Sequence, residues 1–97
     1  MVDMQNELDG KVAIVTGSAR NIGRATAEEL ARAGAALVIN AVQAKDLCEE
    51  VADGIRATGG KAIPVIADVR DRQAVDAMAK AAIEEFGGID ILVHNAA

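Results

Sequence analysis

Four short apolar runs recur along this chain, none of them alternating with polar residues. They are Val12-Ala13-Ile14-Val15, Leu37-Val38-Ile39, Ala62 to Ala67, and Ile91-Leu92-Val93. A strand with one wet face alternates, whereas a short continuous β-branched run belongs to a strand covered on both faces, as in a parallel sheet. The stretches between the runs are rich in helix formers. From about Ile22 to Ala33, residues Ile22, Thr26, Leu30 and Ala33 recur at helical spacing, and Gly34 follows as a C-terminal cap. From Lys45 to about Thr58, Leu47, Val51 and Ile55 make a second stripe, ended by Gly59-Gly60. From Asp71 to Phe86, Val75, Met78, Ala82 and Phe86 make a third, with Asp71 as N-cap and Gly87-Gly88 as the stop.

Strands alternating with helices imply right-handed crossovers and a parallel sheet. The fold class expected is therefore α/β, a partial Rossmann arrangement: a doubly wound parallel sheet of four strands in order 3-2-1-4 with three helices. Pro64 supports that order independently. Proline cannot donate to a ladder and belongs on an edge strand, and this order puts the third strand at an edge. At 97 residues the chain has room for one small domain. Its only aromatic residue is Phe86, so the core must be built from Ala, Val, Ile and Leu.

A net charge of -5 with no basic stretch argues against nucleic acid and anionic membrane surfaces as partners. A single cysteine, Cys48, can form neither an internal disulfide nor a multi-cysteine metal site, and His94 is the only histidine. The opening MVDMQNELDG is polar and acidic, unlike a secretory signal, and no apolar run is long enough to span a bilayer. A cytoplasmic location is the expectation. Cys48 reads as a packing or surface thiol, and the paired glutamates Glu28-Glu29, Glu49-Glu50 and Glu84-Glu85 read as solvated helix faces.

The segment Thr16-Gly17-Ser18-Ala19-Arg20-Asn21-Ile22-Gly23 lies between the first strand and the first helix, the context that gives a glycine loop meaning. Gly17 permits a tight turn out of the strand, and Gly23 permits close packing of helix on sheet. The helix N-terminus offers free N–H groups and a positive dipole end, which together suit a pyrophosphate. A tight turn without a ligand is the plainer reading of the same residues. A Walker-type loop is disfavoured because no Gly-Lys-Ser/Thr follows.

The pattern TGSARNIG resembles the TGxxxGxG loop of the short-chain dehydrogenase/reductases, including members like 3-oxoacyl-[acyl-carrier-protein] reductase. The resemblance continues through Asp68-Val69 and through Ile89-Asp90-Ile91-Leu92-Val93-His94-Asn95-Ala96-Ala97, so it runs from about Leu8 to Ala97. It departs at Asn21, where the family has a glycine, at His94, and at Ala97. Asparagine tolerates a left-handed backbone, so the turn can survive. What the resemblance implies is a cofactor site. Amides around Gly17, Ala19, Asn21, Ile22 and Gly23 would hold the pyrophosphate. Asp68 would accept from the adenine amino group, with Val69 on the ring, and the backbone of Asn95, Ala96 and Ala97 would lie along a ribose. The tip of the second strand, Asn40-Ala41-Val42, carries none of the acid that favours NAD. Arg20 stands where NADP-using members carry a base, and its paired donors suit a 2′-phosphate. NADP is the expected cofactor, with NAD possible.

The family's catalytic set is a Ser, a Tyr and a Lys four residues later. This chain has no Tyr, and its one serine, Ser18, belongs to the loop; Lys80 is no substitute and His94 reads as structural. Residues 1–97 are thus expected to be the N-terminal dinucleotide-binding half of a Rossmann domain, with the catalytic half absent and no turnover by this chain alone. The whole protein would be an oxidoreductase moving hydride between NADP(H) and a small carbonyl or alcohol. An open fourth strand would favour a homo-oligomer. A non-catalytic nucleotide-binding or interaction module is the alternative. An adenosylmethionine-dependent methyltransferase wants an acid at the second strand's tip, which Asn40-Ala41 does not supply.

Overall fold

In the computed structural model, which describes residues 6–95, all four apolar runs are strands: β1 (Val12–Val15), β2 (Ala36–Ala41), β3 (Lys61–Ile66) and β4 (Ile91–Val93). Between them lie α1 (Asn21–Arg32), α2 (Lys45–Ala57) and α3 (Arg72–Phe86). The strands are parallel in the order β3-β2-β1-β4, as the alternation of elements predicts. Every residue of β1 and β2 is buried, which is why their sequences do not alternate. Pro64 lies in the edge strand β3, in register with Ile39, where its missing N–H costs the sheet nothing on the open side.

The sheet separates two apolar clusters. On one face Ala13, Val15, Leu37 and Ile39 meet Ala27 of α1 and Cys48, Val51, Ala52 and Ile55 of α2. On the other, Val12, Ile14 and Val38 meet Met78 and Ala82 of α3. Cys48 is a packing thiol: it is wholly buried, and burial first, with Glu49 second, raises its pKa. Asp71 caps α3 as its sequence position predicts, accepting from the Gln73 N–H at 3.0 Å.

Two helix faces differ from the expected stripes. Ile22 is 74% exposed, and α1 instead buries Gly23 and Ala27. On α3, Ala74 rather than Val75 packs against the core with Phe86. The reason for α1 is steric: a Cβ on Gly23 would stand 2.2 Å from the Gly17 carbonyl oxygen, so only the smallest residues fit the side that meets the loop. At the other end of the sheet, Asp90 fastens β4 to β1, its carboxylate accepting from the Val12 N–H and its own N–H donating to the Val12 carbonyl, each at 2.8 Å.

Candidate functional site

β1 ends at Val15, and the chain turns through Gly17, whose φ of +62° is the left-handed backbone that glycine adopts without penalty. Ser18 then folds inward and is fully buried. Its hydroxyl donates to the Val15 carbonyl at 2.6 Å and accepts the Asn40 N–H at 2.8 Å, while its own N–H donates to the Asn40 carbonyl at 2.8 Å. Arg20 is the N-cap residue of α1 in extended conformation, and its side chain caps nothing. Asn21 takes φ +54°, the left-handed turn that its place in the loop requires.

The first turn of α1 therefore has no side-chain cap and no acidic residue. Its leading N–H groups and the positive end of its dipole remain available to an anion. β4 holds the far side of the loop. The Thr16 N–H donates to the Val93 carbonyl at 3.0 Å, the Asn95 N–H donates to the Thr16 hydroxyl at 2.9 Å, and the Asn95 side-chain amide donates to the Gly17 carbonyl at 3.3 Å. A methyl group on Gly23 would also lie 2.7 Å from that amide nitrogen, so Gly23 and Asn95 occupy one close-packed corner.

A cleft of about 400 Å³ opens beside this loop. It lies at the carboxyl ends of β1 and β2 and beside Asn95 just beyond β4, where strand order reverses; this is where open parallel sheets bind ligands. Of the residues expected from the sequence, Gly17, Ala19, Arg20, Asn21, Ala41 and Asn95 line it. Val42, Gln43 and Ala44 complete the wall, as residues that simply follow the end of β2. Arg20 is the only charged residue of this lining, and among the described residues its side chain makes no hydrogen bond or ion pair. No group of acidic, histidine or cysteine side chains among the described residues could hold a metal ion.

The other expected residues are placed differently. Ile22 and Gly23 are outside the lining, and Ala96 and Ala97 lie outside the described residues. Asn40, expected at the β2 tip beside the cofactor, is 1% exposed and turned into the protein. Its Oδ1 accepts the Gly17 N–H at 3.2 Å, and its Nδ2 donates to the Val65 and Ala67 carbonyls, both at 3.1 Å. Asp68 and Val69 follow β3 without lining the cleft. Arg70 forks onto Asp68, with Nε donating to Oδ1 at 3.1 Å and Nη2 to Oδ2 at 2.8 Å, and the Arg70 N–H adds a third bond at 2.9 Å. The guanidinium, then the backbone N–H, hold the Asp68 carboxyl at about 2, below its ordinary 3.8. His94 is exposed beside the loop, its Nδ1 3.5 Å from the Thr16 hydroxyl.

A larger groove, about 1240 Å³, lies at the amino ends of the strands. Charges of both signs line it, including Asp9, Lys11, Glu29, Arg32 and Arg56, and none of the loop residues reaches it. No helix of the described residues is long and apolar enough to cross a membrane.

The family model described as short chain dehydrogenase matches residues 11–97. An uncharacterized oxidoreductase of Methylorubrum extorquens is 44% identical over 90 residues, covering 93% of this chain and 36% of its own length. A versicolorin reductase of Emericella nidulans is 45% identical over 89 residues, covering 92% of this chain and 34% of its own. Among solved structures, a dehydrogenase/reductase from Sinorhizobium meliloti 1021 superposes with a TM-score of 0.90 at 40% identity, over 96% of this chain and 37% of that one. The chain thus spans about a third of the length of the curated relatives it matches. Fold, loop and sequence agree: this chain belongs to the short chain dehydrogenase family.

Proposed function

We propose that this chain is the dinucleotide-holding part of an oxidoreductase that moves hydride between NADP(H) and a small carbonyl or alcohol. The observation that carries the reading is the uncapped start of α1 opening on a cleft whose only charged lining residue, among the described residues, is Arg20. The residues fit a dinucleotide. Free N–H groups at Asn21 and after it would hold the diphosphate, Ala19 keeps side-chain bulk away from it, and Gly23 lets the helix start pack close against the loop. Ala41 and Val42 would carry the adenosine ribose without the acid that hydrogen-bonds an unmodified 2′-hydroxyl. Arg20, without another side-chain partner among the described residues, would fork onto a 2′-phosphate. NAD is the weaker candidate on the same grounds.

Asp68 would take the adenine amino group. A carboxylate offers about four acceptor positions, and Arg70 takes two on Oδ1 and one on Oδ2, so Oδ2 retains one. Asn95 would border a ribose while its amide stays on Gly17; Ala96 and Ala97 follow it in the same reading. The bound nicotinamide supplies the site that gives or receives hydride. This chain's residues hold that cofactor and bring no tyrosine for proton transfer. Residues 1–97 then act as the cofactor half of a domain whose catalytic half is carried elsewhere, so this chain alone binds cofactor and does not turn over substrate. Its small-molecule substrate and its homo-oligomeric assembly belong to the same proposal, as does a cytoplasmic setting.

Calorimetric titration with NADP⁺ and NAD⁺ tests the reading. NADP⁺ should bind tighter, and Arg20→Ala should remove about ten- to hundredfold of that affinity, the worth of a charge-assisted pair, with NAD⁺ affinity nearly unchanged. Equal affinities for the two cofactors in the unmutated chain would remove the role of Arg20. Absence of binding by either would remove the cofactor site.

A further inference from the structure

Asn40 is the one polar side chain in a strand otherwise made of Ala, Leu, Val and Ile, and it is 1% exposed. Its neighbours explain the choice of residue. β1 has ended at Val15 and the loop has begun, so the Gly17 N–H points at position 40 from one side. On the other side the Val65 and Ala67 carbonyls point at it from the end of β3. A primary amide accepts at one end and donates two hydrogens at the other, so one asparagine satisfies all three. Leucine would fill the volume and satisfy none of them; aspartate would turn a carboxylate on two carbonyl oxygens.

These contacts join two places that matter to the proposed cofactor. Gly17 opens the diphosphate loop, and Ala67 immediately precedes Asp68-Val69. We propose that Asn40 is a positioning residue that fixes the diphosphate-holding loop and the adenine-side turn after β3 as one frame, without touching the cofactor itself. This rests on the reading of the cleft as a dinucleotide site. Ser18 strengthens the frame, since its hydroxyl and N–H both hold the Asn40 backbone at 2.8 Å. A ligand that spans both ends gains from their fixed separation, as two linked ligands gain when their sites stand at a set distance. A ligand that touches one end gains nothing from it.

The test compares NADP⁺ with inorganic diphosphate and with adenosine, which carries no phosphate to reach the loop, titrated into the unmutated protein and into Asn40→Leu. The whole dinucleotide should weaken by about ten- to hundredfold, while each fragment changes by less than about threefold. A uniform loss for all three ligands, or no loss for NADP⁺, overturns the positioning role and leaves the cofactor reading intact. Failure of the unmutated protein to bind NADP⁺ or NAD⁺ at all overturns the cofactor reading, and this proposal with it. A measurement on the unmutated protein guards against a variant that does not fold. Inorganic diphosphate should shift the ¹⁵N resonances of the Asn40 side-chain amide and of Ala67 together with Gly17. Shifts confined to the loop overturn the proposal.

Discussion

At Gly23 a single methyl group decides whether helix and loop can meet. An added Cβ would lie 2.2 Å from the Gly17 carbonyl oxygen and 2.7 Å from the Asn95 amide nitrogen, and the first of these is backbone that cannot swing aside. Gly23→Ala should therefore lower stability by about 1–3 kcal/mol, the range for overpacking a tight site. Urea unfolding would measure this, and a midpoint equal to that of the parent would contradict it. The Asp68–Arg70 pair makes a second residue-scale prediction. Because the folded chain holds this carboxyl at about 2 rather than 3.8, its stabilisation is complete above the higher value and is lost as pH falls toward the lower. The stability gap between the parent and Arg70→Ala should be present near neutral pH and close between pH 3.8 and about 2. A gap that persists at the acid end would show that the pair does not carry it. How far such residues could be read beforehand depended on where their partners lie. Gly17, Asn21 and Gly23 act within a few positions of each other, so the loop was legible. Asn40 was not, since its side-chain partners are 23, 25 and 27 positions away and its place at a strand tip looked like a ligand contact.

Among the elements, the strands were the most legible: β1 and β2 are buried on both faces, while β3 and β4 keep unbroken apolar runs although they are partly exposed. The helix faces were less so. The buried side of α1 is made of Gly23 and Ala27, which carry almost no hydrophobic signal, while the conspicuous Ile22 faces outward. Closeness of approach, not side-chain size, set that face. β4 poses a different problem. Among the described residues it pairs with β1 on one side only, and Leu92 is 66% exposed on it. An uncovered apolar edge invites another strand. Sedimentation velocity should show association that grows with loading concentration, and Leu92→Lys should reduce it by adding a charge to that edge. A monodisperse parent at every concentration would contradict this.

The molecule as a whole divides its work between the two ends of the sheet. At the amino ends, Asp90 fastens β4 to β1 through paired 2.8 Å bonds. At the carboxyl ends, where no ladder continues, the loop after β1 is instead held by Ser18, Asn40, Thr16 and Asn95, and so by three strands at once. These bonds all run between groups of this chain. The conformational entropy of ordering the loop is thus met during folding, and the diphosphate of the proposed cofactor would meet amides already in place. Recognition of the proposed cofactor at this mouth would be of the preorganised kind, in which folding stability and affinity draw on the same few hydrogen bonds.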